Sequence, residues 1–482
     1  MYGRTISYEI ENDLRPDYFG KLVEFIYKKY LLPEGEKVRD IQKDISSETP
    51  FLSFTLVDSA QSGALKVEIR GNKPIRVSIS PLDNVVSDRA IAKMKEDLAI
   101  VIDYFEENVR AHTLFFAWRE GETVVPEKVS EKGKASINRL FLETQVLLFV
   151  AFIVIGAFLF ITIGAALYFA IPIVLLAIQF VFVFYSSKFI ARIADWQITQ
   201  QNPIIHLLEY GLPLKEGYEL RQDFTNAELA QMKREIYEQT ILKHGEMDCE
   251  AASQILSKHG VECDSRNLVA RKVNVYEIVK RTAEKFKFPM PKIVVSNTMI
   301  PNAAASGPSP NRGVVLITTG LLVDLNEEQI LSVLGHEFGH LQKRDPIALF
   351  GLTSVQFLIT FYLIFPFFPW IFGSLLFLVY FWAVAVIIYF IAKFFEARAD
   401  LTSAMVMETP EVLADALEKI GFKRLLRERV PFYRAQEWLS FDPHPPIYFR
   451  IDRLRRLVVP VRVKYPLFES AVAVTKGFLR SL

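Results

Sequence analysis

Cysteine is scarce in this chain: 482 residues carry only Cys249 and Cys263. Their spacing is neither CxxC nor a zinc-ribbon pattern, so a disulfide framework is excluded and the pair reads as free thiols in a reducing compartment. A charge excess of either sign is also missing. Lys and Arg number 56 against 55 Asp and Glu, a formal net charge of +1, and no basic run stands out. That balance argues against nucleic acid as a partner. The first twenty residues, MYGRTISYEIENDLRPDYFG, have no apolar core and carry acids early, which does not fit a secretory signal. Internal repeats and low-complexity tracts are absent as well.

The most informative absence is local. No charged residue occurs from Val146 to Tyr185, nor from Ile347 to Ala392. One crossing of the hydrocarbon needs about 20 residues, so each stretch is long enough for two. Gly164 and Thr162 suggest a turn near 162–166 in the first. PFFPW, Pro366 to Trp370, suggests one in the second, because proline removes helix donors and Trp favours the interface. A buried soluble core is the alternative for each stretch. The flanks are basic: Lys132, Lys134 and Arg139 before the first, Lys188 and Arg192 after it, Lys343 and Arg344 before the second, Lys393 and Arg398 after it. The positive-inside rule then predicts a multi-pass protein of the cell membrane, with four spans in two hairpins and all larger domains in the cytoplasm.

The expected fold is a mainly α membrane protein with an extra N-terminal α+β domain. Residues 1–135 form that domain, with no motif that reveals its role. It shows strands PFLSFTLVDS, ALKVEIRG and KPIRVSIS with a turn at Gly71-Asn72. A helix follows from about Ser87 to Arg110, its apolar face made by Ile91, Met94, Leu98, Ile102 and Phe105. Residues 141–188 hold the first hairpin, 193–275 a helical linker or insert, and 276–482 a further domain that contains the second hairpin, 347–392.

The chemistry centres on LSVLGHEFGHLQKRD, Leu331 to Asp345. Asn326 can cap a helix here, and Gln329 three residues on completes a capping box. Ile330, Val333, Leu334, Phe338 and Leu341 make an apolar face. His336 and His340 then lie one turn apart and project the same way. Two imidazoles so placed can hold a zinc ion, and Glu337 beside them can take a proton from its water. An amphipathic helix with idle histidines is the alternative. A catalytic zinc site needs a third protein ligand. Directly after the last uncharged run comes FFEARAD, where Glu396 can supply an oxygen and Asp400, one turn on, can accept the free N–H of a ligating histidine. A solvated Glu/Arg/Asp face is the alternative for that segment alone. Both ends of a membrane hairpin emerge on one side, so the two segments can meet at the membrane surface.

HEFGH, a hydrophobic hairpin and then EARAD resemble the integral-membrane zinc peptidases that include HtpX and the type 1 CAAX prenyl proteases, a gluzincin-type group. PNAAASG (Pro301 to Gly307) followed by GVVLITTGLL is similar to the strand and loop that precede HExxH in HtpX-like proteins, and HPPIYFRI (His444 to Ile451) to their C-terminal HPP…R motif. The likeness covers about Tyr276 to Leu457. It implies an α+β zinc peptidase domain with one zinc held by His336, His340 and Glu396, and Glu337 as general base. Asn302 and Ala303 would lie on an edge strand that pairs with substrate backbone. His444 would steady the developing oxyanion, with a histidine fixed structurally between prolines as the alternative. Arg450 fits a structural ion pair. Three features depart from the pattern: FDP before the HPP segment, a long connection from about Asn202 to Arg271, and a first 135 residues without a counterpart.

The implied activity is that of a zinc metalloendopeptidase acting on misfolded or membrane proteins at the cytoplasmic face, in protein quality control. Its partners would be polypeptide substrates and the bilayer, with self-association open. A prenyl-peptide endoprotease is a second enzymatic reading, and a membrane scaffold with a vestigial metal site is the non-enzymatic one.

Overall fold

A computed structural model describes residues 5–119 and 169–481, apart from 11, 13, 15, 48, 58–62, 83–85, 87, 112, 212–225, 240–242, 244–248, 259–267, 373 and 429–430. The chain divides into two compact units. One comprises residues 1–115 with 209–226 and 261–268, and the other holds the remainder.

The first unit is built on an antiparallel sheet of order β1-β5-β4-β3-β2. Its strands are β1 (Ile6–Ile10), β2 (Val38–Asp44), β3 (Phe51–Val57), β4 (Ala64–Arg70) and β5 (Ile75–Pro81). Alternation decides which face is buried: Leu65, Val67 and Ile69 of β4 and Ile75, Val77 and Ile79 of β5 all point into one core. Helices α1 (Phe19–Phe25) and α2 (Asp88–Ala111) contribute to the same core, α2 through Ile91, Met94, Leu98, Ile102 and Phe105. The turn after β3–β4 pairing is tight at Gly71, where a Cβ would stand 2.7 Å from that of Phe19. The three strands and the helix read from the sequence are all present. Strands β1 and β2 go unread in the sequence: β2 is mostly exposed, and β1, although Ile6, Tyr8 and Ile10 alternate with Ser7 and Glu9, is only five residues long.

The second unit contains a four-stranded mixed sheet of order β11-β12-β10-β7. Most residues of a three-stranded sheet of order β6-β8-β9 also belong to it. The strands are β6 (Thr113–Arg119), β7 (Trp196–Ile198), β8 (Ile204–Gly211), β9 (Leu268–Asn274), β10 (Lys292–Ser296), β11 (Ala303–Ser306) and β12 (Val314–Thr318). Residues 193–275 are thus not purely helical: helices Asn226–Gln239 and Cys249–Lys258 are there, but so are β7, β8 and β9. Short runs such as IIHLLEY (Ile204 to Tyr210) are apolar enough for either element, and pairing with neighbours decides for strand.

The helices that matter for the site are α3 (Ile171–Ile193), α4 (Val275–Phe286), α5 (Glu327–Lys343), α6 (Asp345–Ile359), α7 (Leu376–Met407), α8 (Pro410–Glu428), α9 (Ile447–Arg455) and α10 (Pro466–Ser481). Among the described residues three helical segments are long and apolar enough to cross a membrane: Ile171–Arg192, Asp345–Phe367 and Leu376–Met407. They correspond to the second arm of the first hairpin and to both arms of the second. The other arm, and the turn expected near 162–166, lie outside the described residues. The second turn falls where PFFPW placed it, the first arm ending at Phe367 and α7 beginning at Leu376.

Helix α5 starts as its sequence dictates. The Asn326 side chain accepts from the Gln329 N–H and the Gln329 side chain accepts from the Asn326 N–H, a complete capping box. Its predicted apolar face, Ile330, Val333, Leu334, Phe338 and Leu341, is buried. Helices α5 and α7 approach so closely that side chains are excluded between them. A Cβ on Gly335 would lie 2.7 Å from Ser403 Oγ, and one on Gly339 would lie 3.3 Å from the backbone of Ala399. The glycine inside HEFGH therefore sets the distance between the helix that carries the histidines and the helix that carries EARAD.

Candidate metal centre

Helix geometry brings His336 and His340 to the same face of α5, their Nε2 atoms 3.2 Å apart. Across the close contact, α7 presents Glu396. Its Oε2 lies 3.4 Å from His336 Nε2 and its Oε1 3.4 Å from His340 Nε2. One ligand atom from each of the three residues falls within 4.8 Å of the others.

The other side of each imidazole is fixed by a carboxylate. His336 Nδ1 is 2.8 Å from Asp400 Oδ1, and His340 Nδ1 is 2.8 Å from Asp345 Oδ2. A carboxylate in an ion pair only accepts, so Nδ1 carries the proton in both rings and the Nε2 lone pairs turn inward. Both carboxylates are themselves clamped. Arg450 grips Asp400 with two hydrogen bonds, Nε to Oδ2 at 2.9 Å and Nη2 to Oδ1 at 2.7 Å. Arg398 Nη2 donates to Asp345 Oδ1.

These residues fit a divalent cation. Two inward lone pairs and a carboxylate converge on one point, and Glu396 Oε2 is buried without a hydrogen-bond partner among the described residues. The electrostatics agree. Burial opposes charge on His336, but hydrogen bonds to Asp400 and Glu396 outweigh it and raise the imidazole above its ordinary value. Burial likewise opposes charge on His340, and Glu396 outweighs it, with Glu337 adding to the pull. The carboxylates that produce these upward shifts give the pocket a field that favours positive charge. Nitrogen and oxygen donors of this kind suit zinc and its first-row neighbours.

Glu337 points to β11, its Oε2 accepting the Ala305 N–H at 2.9 Å. Among the described residues β11 is the edge of its sheet, paired only with β12 through Ala303↔Ile317, Ala304↔Leu316 and their neighbours. The backbone of Asn302 is turned toward β12: its N–H reaches Thr318 Oγ1 at 2.8 Å and its carbonyl accepts from Thr318 N–H at 3.0 Å. Strand alternation then leaves the backbone of Ala303 and Ala305 on the open edge. Asn302 anchors the start of this strand; the Ala303 backbone and the Ala305 carbonyl face the edge, while the Ala305 N–H is taken by Glu337.

His444 joins the cluster from the loop before α9. Its Nε2 lies 3.4 Å from Glu396 Oε2, and its side chain is 43% exposed. Asp442 orients it by accepting both the His444 N–H at 2.7 Å and Nδ1 at 2.8 Å on Oδ1. Burial works against charge on Asp442, but His444 and Arg424 outweigh it and hold the carboxyl below its usual range. The FDP that departs from the family pattern thus supplies the group that aims His444. Behind it, Lys393 is fully buried and donates to the Asp442 carbonyl. In the sequence Lys393 counts as a basic flank of the membrane run; in the fold it braces the His444 loop. Glu428 performs a related task for α9, accepting the Ile447 and Tyr448 N–H groups at 2.9 Å each. Burial raises its pKa.

Asp345 was missed in the sequence. The signal was its place in KRDP: Arg344 ends α5 in the left-handed conformation at φ 55°, and Asp345 opens α6 beside the last turn of α5. Loss of such a partner typically lowers metal affinity 10–100-fold. Asp345→Asn is expected to weaken metal binding by about that factor, as read by competition with a chromogenic chelator. Unchanged affinity would show that Asp345 does not support His340.

Comparison with known proteins agrees with this geometry. Residues 270–458 match the model of Peptidase family M48. A protein named Protease HtpX homolog from Desulforapulum autotrophicum is 31% identical over 224 residues, which are 38% of this chain and 68% of the relative. The protein of that name from Caldanaerobacter subterraneus subsp. tengcongensis is 31% identical over 217 residues, 38% of this chain and 72% of the relative. The one from Pyrococcus abyssi is 28% identical over 222 residues, 40% of this chain and 75% of the relative. All three alignments leave more than half of the present chain unmatched.

Proposed function

Because this chain belongs to the HtpX-like metalloprotease family, we propose that it is a membrane endopeptidase in which His336, His340 and Glu396 hold one zinc ion and Glu337 is the general base. The observation that carries this reading is the convergence of those three side chains, with Glu337 beside them and an open strand edge in reach.

The ion, when bound, supplies Lewis acidity, which polarises a peptide carbonyl and makes water nucleophilic at neutral pH. The rest is done by the chain. An extended substrate adds to the outer edge of β11 through the backbone groups of Ala303 and the Ala305 carbonyl. The Ala305 N–H holds one oxygen of Glu337 and so fixes the carboxylate beside that strand. Glu337 takes a proton from the attacking water and delivers it to the leaving amine as the C–N bond breaks. The hydroxyl stays on the new carboxyl group. His444, its Nδ1 held by Asp442, is the group assigned to donate from Nε2 to the carbonyl oxygen as negative charge develops there, a role that needs a proton on both ring nitrogens. Asp400 and Asp345 keep both imidazoles in the ligating tautomer.

Strand addition requires a locally unfolded substrate, and the ligands lie beside helices fit to cross a bilayer. The natural substrates are accordingly misfolded proteins or exposed segments of membrane proteins, cut at the cytoplasmic face. Lys188, Arg192, Lys343 and Arg344, beside the uncharged runs, support that orientation. The test uses full-length protein purified in detergent. It should cleave an unfolded casein-type substrate, lose that activity to a chelator and regain it with zinc. A metal-loaded protein that leaves unfolded polypeptide intact would overturn the reading and favour a scaffold.

A further inference from the structure

A cavity of about 830 Å³ opens between the end of α5, the polar end of α7 and the start of α10. Its walls are of two kinds. Phe394 of α7 and Phe468 of α10 contribute apolar surface, whereas Lys343, Arg398 and Lys464 contribute positive charge, and among the described residues no carboxylate lines it. Lys343 and Lys464 are exposed. Arg398 is different. It is buried, its Nη2 is engaged by Asp345, and its Nε has no hydrogen-bond partner among the described residues. A buried guanidinium N–H is rarely left unsatisfied.

The position of the cavity narrows the ligand. The uncharged run of α7 ends at Ala392, two residues before Phe394, and Lys343 stands two residues before the apolar helix that begins at Asp345. If these helices cross a bilayer, the cavity sits at the level of the headgroups. Tyr465 and Phe468 at its mouth are 62% and 68% exposed, as expected of aromatic residues in a membrane interface. From these observations we infer that the cavity binds an anionic phospholipid. Its phosphate is held by Lys343 and Lys464, with the buried positive charge of Arg398 behind them, and its acyl chain lies against Phe394 and Phe468. The inference rests on the membrane placement of α6 and α7, and not on peptidase activity. It also puts the lipid phosphate one ion pair, Arg398 to Asp345, from the ligating histidine His340.

The experiment reads lipid binding directly. Full-length protein in nanodiscs of phosphatidylcholine, with or without phosphatidylglycerol, is analysed by native mass spectrometry and thermal unfolding. Phosphatidylglycerol should be retained on the protein and raise its Tm. The double variant Lys343→Gln/Lys464→Gln should bind it about tenfold more weakly, with metal content unchanged as a control for folding. Inorganic phosphate alone should shift nothing. Equal retention of phosphatidylcholine, equal protection by inorganic phosphate, or undiminished binding by the double variant would each overturn the assignment. Because the readout is bound lipid, failure here leaves the peptidase reading intact, and an inactive protein that still binds phosphatidylglycerol leaves this one intact.

Discussion

Glu337→Gln should lose peptide-bond hydrolysis by a factor of about 10²–10⁴ while keeping its metal. The glutamine has the same shape, and its carbonyl can still accept the Ala305 N–H, so neither β11 nor α5 is disturbed. What disappears is the group that takes the proton from water and returns it to the amine. The loss corresponds to about 2.7–5.5 kcal/mol of transition-state stabilisation. It should appear in kcat more than in KM, because the proton moves in the transition state and not on binding. Steady-state cleavage of an unfolded substrate, paired with metal analysis of the same sample, provides the measurement. Wild-type activity in this variant would remove Glu337 from the mechanism.

Glu396→Ala should be the more damaging change, because it removes a ligand and with it the metal. Supporting partners of metal ligands already count for 10–100-fold in affinity, so loss of a ligand itself should exceed about 100-fold. Glu396→Gln keeps an oxygen but not the charge, and its affinity should fall between wild type and alanine. That order, read from metal titrations, separates a liganding role from mere packing. Equal affinity in all three proteins would mean that the carboxylate on α7 is not part of the site.

The parts of this site that were legible in the sequence are those set by short-range periodicity. HEFGH and EARAD each place two side chains one helical turn apart, and i, i+4 spacing survives any tertiary arrangement. The uncharged runs were legible for a similar reason, since hydrocarbon imposes length and composition locally. The capping box at Asn326 and Gln329 is local too. What sequence could not supply is long-range or depends on how an element ends. Asp345 supports His340 only because Arg344 stops α5 in a left-handed turn. Asp442 and Lys393 are 49 residues apart and meet through the fold. Lys393 even carried the opposite message, since a rule that counts basic residues cannot tell a solvated flank from a buried brace. Strands β7 to β9 were read as part of a helical stretch because brief apolar runs carry no decisive period, and their pairing is non-local.

Metal stoichiometry is the most direct test of the central claim, that two imidazoles on α5 and one carboxylate on α7 form a single divalent-ion site. Elemental analysis of full-length protein, purified under identical conditions, should find about one zinc per chain in wild type and in Glu337→Gln, and little in Glu396→Ala. The same metal content in all three, or none in active wild type, would contradict it.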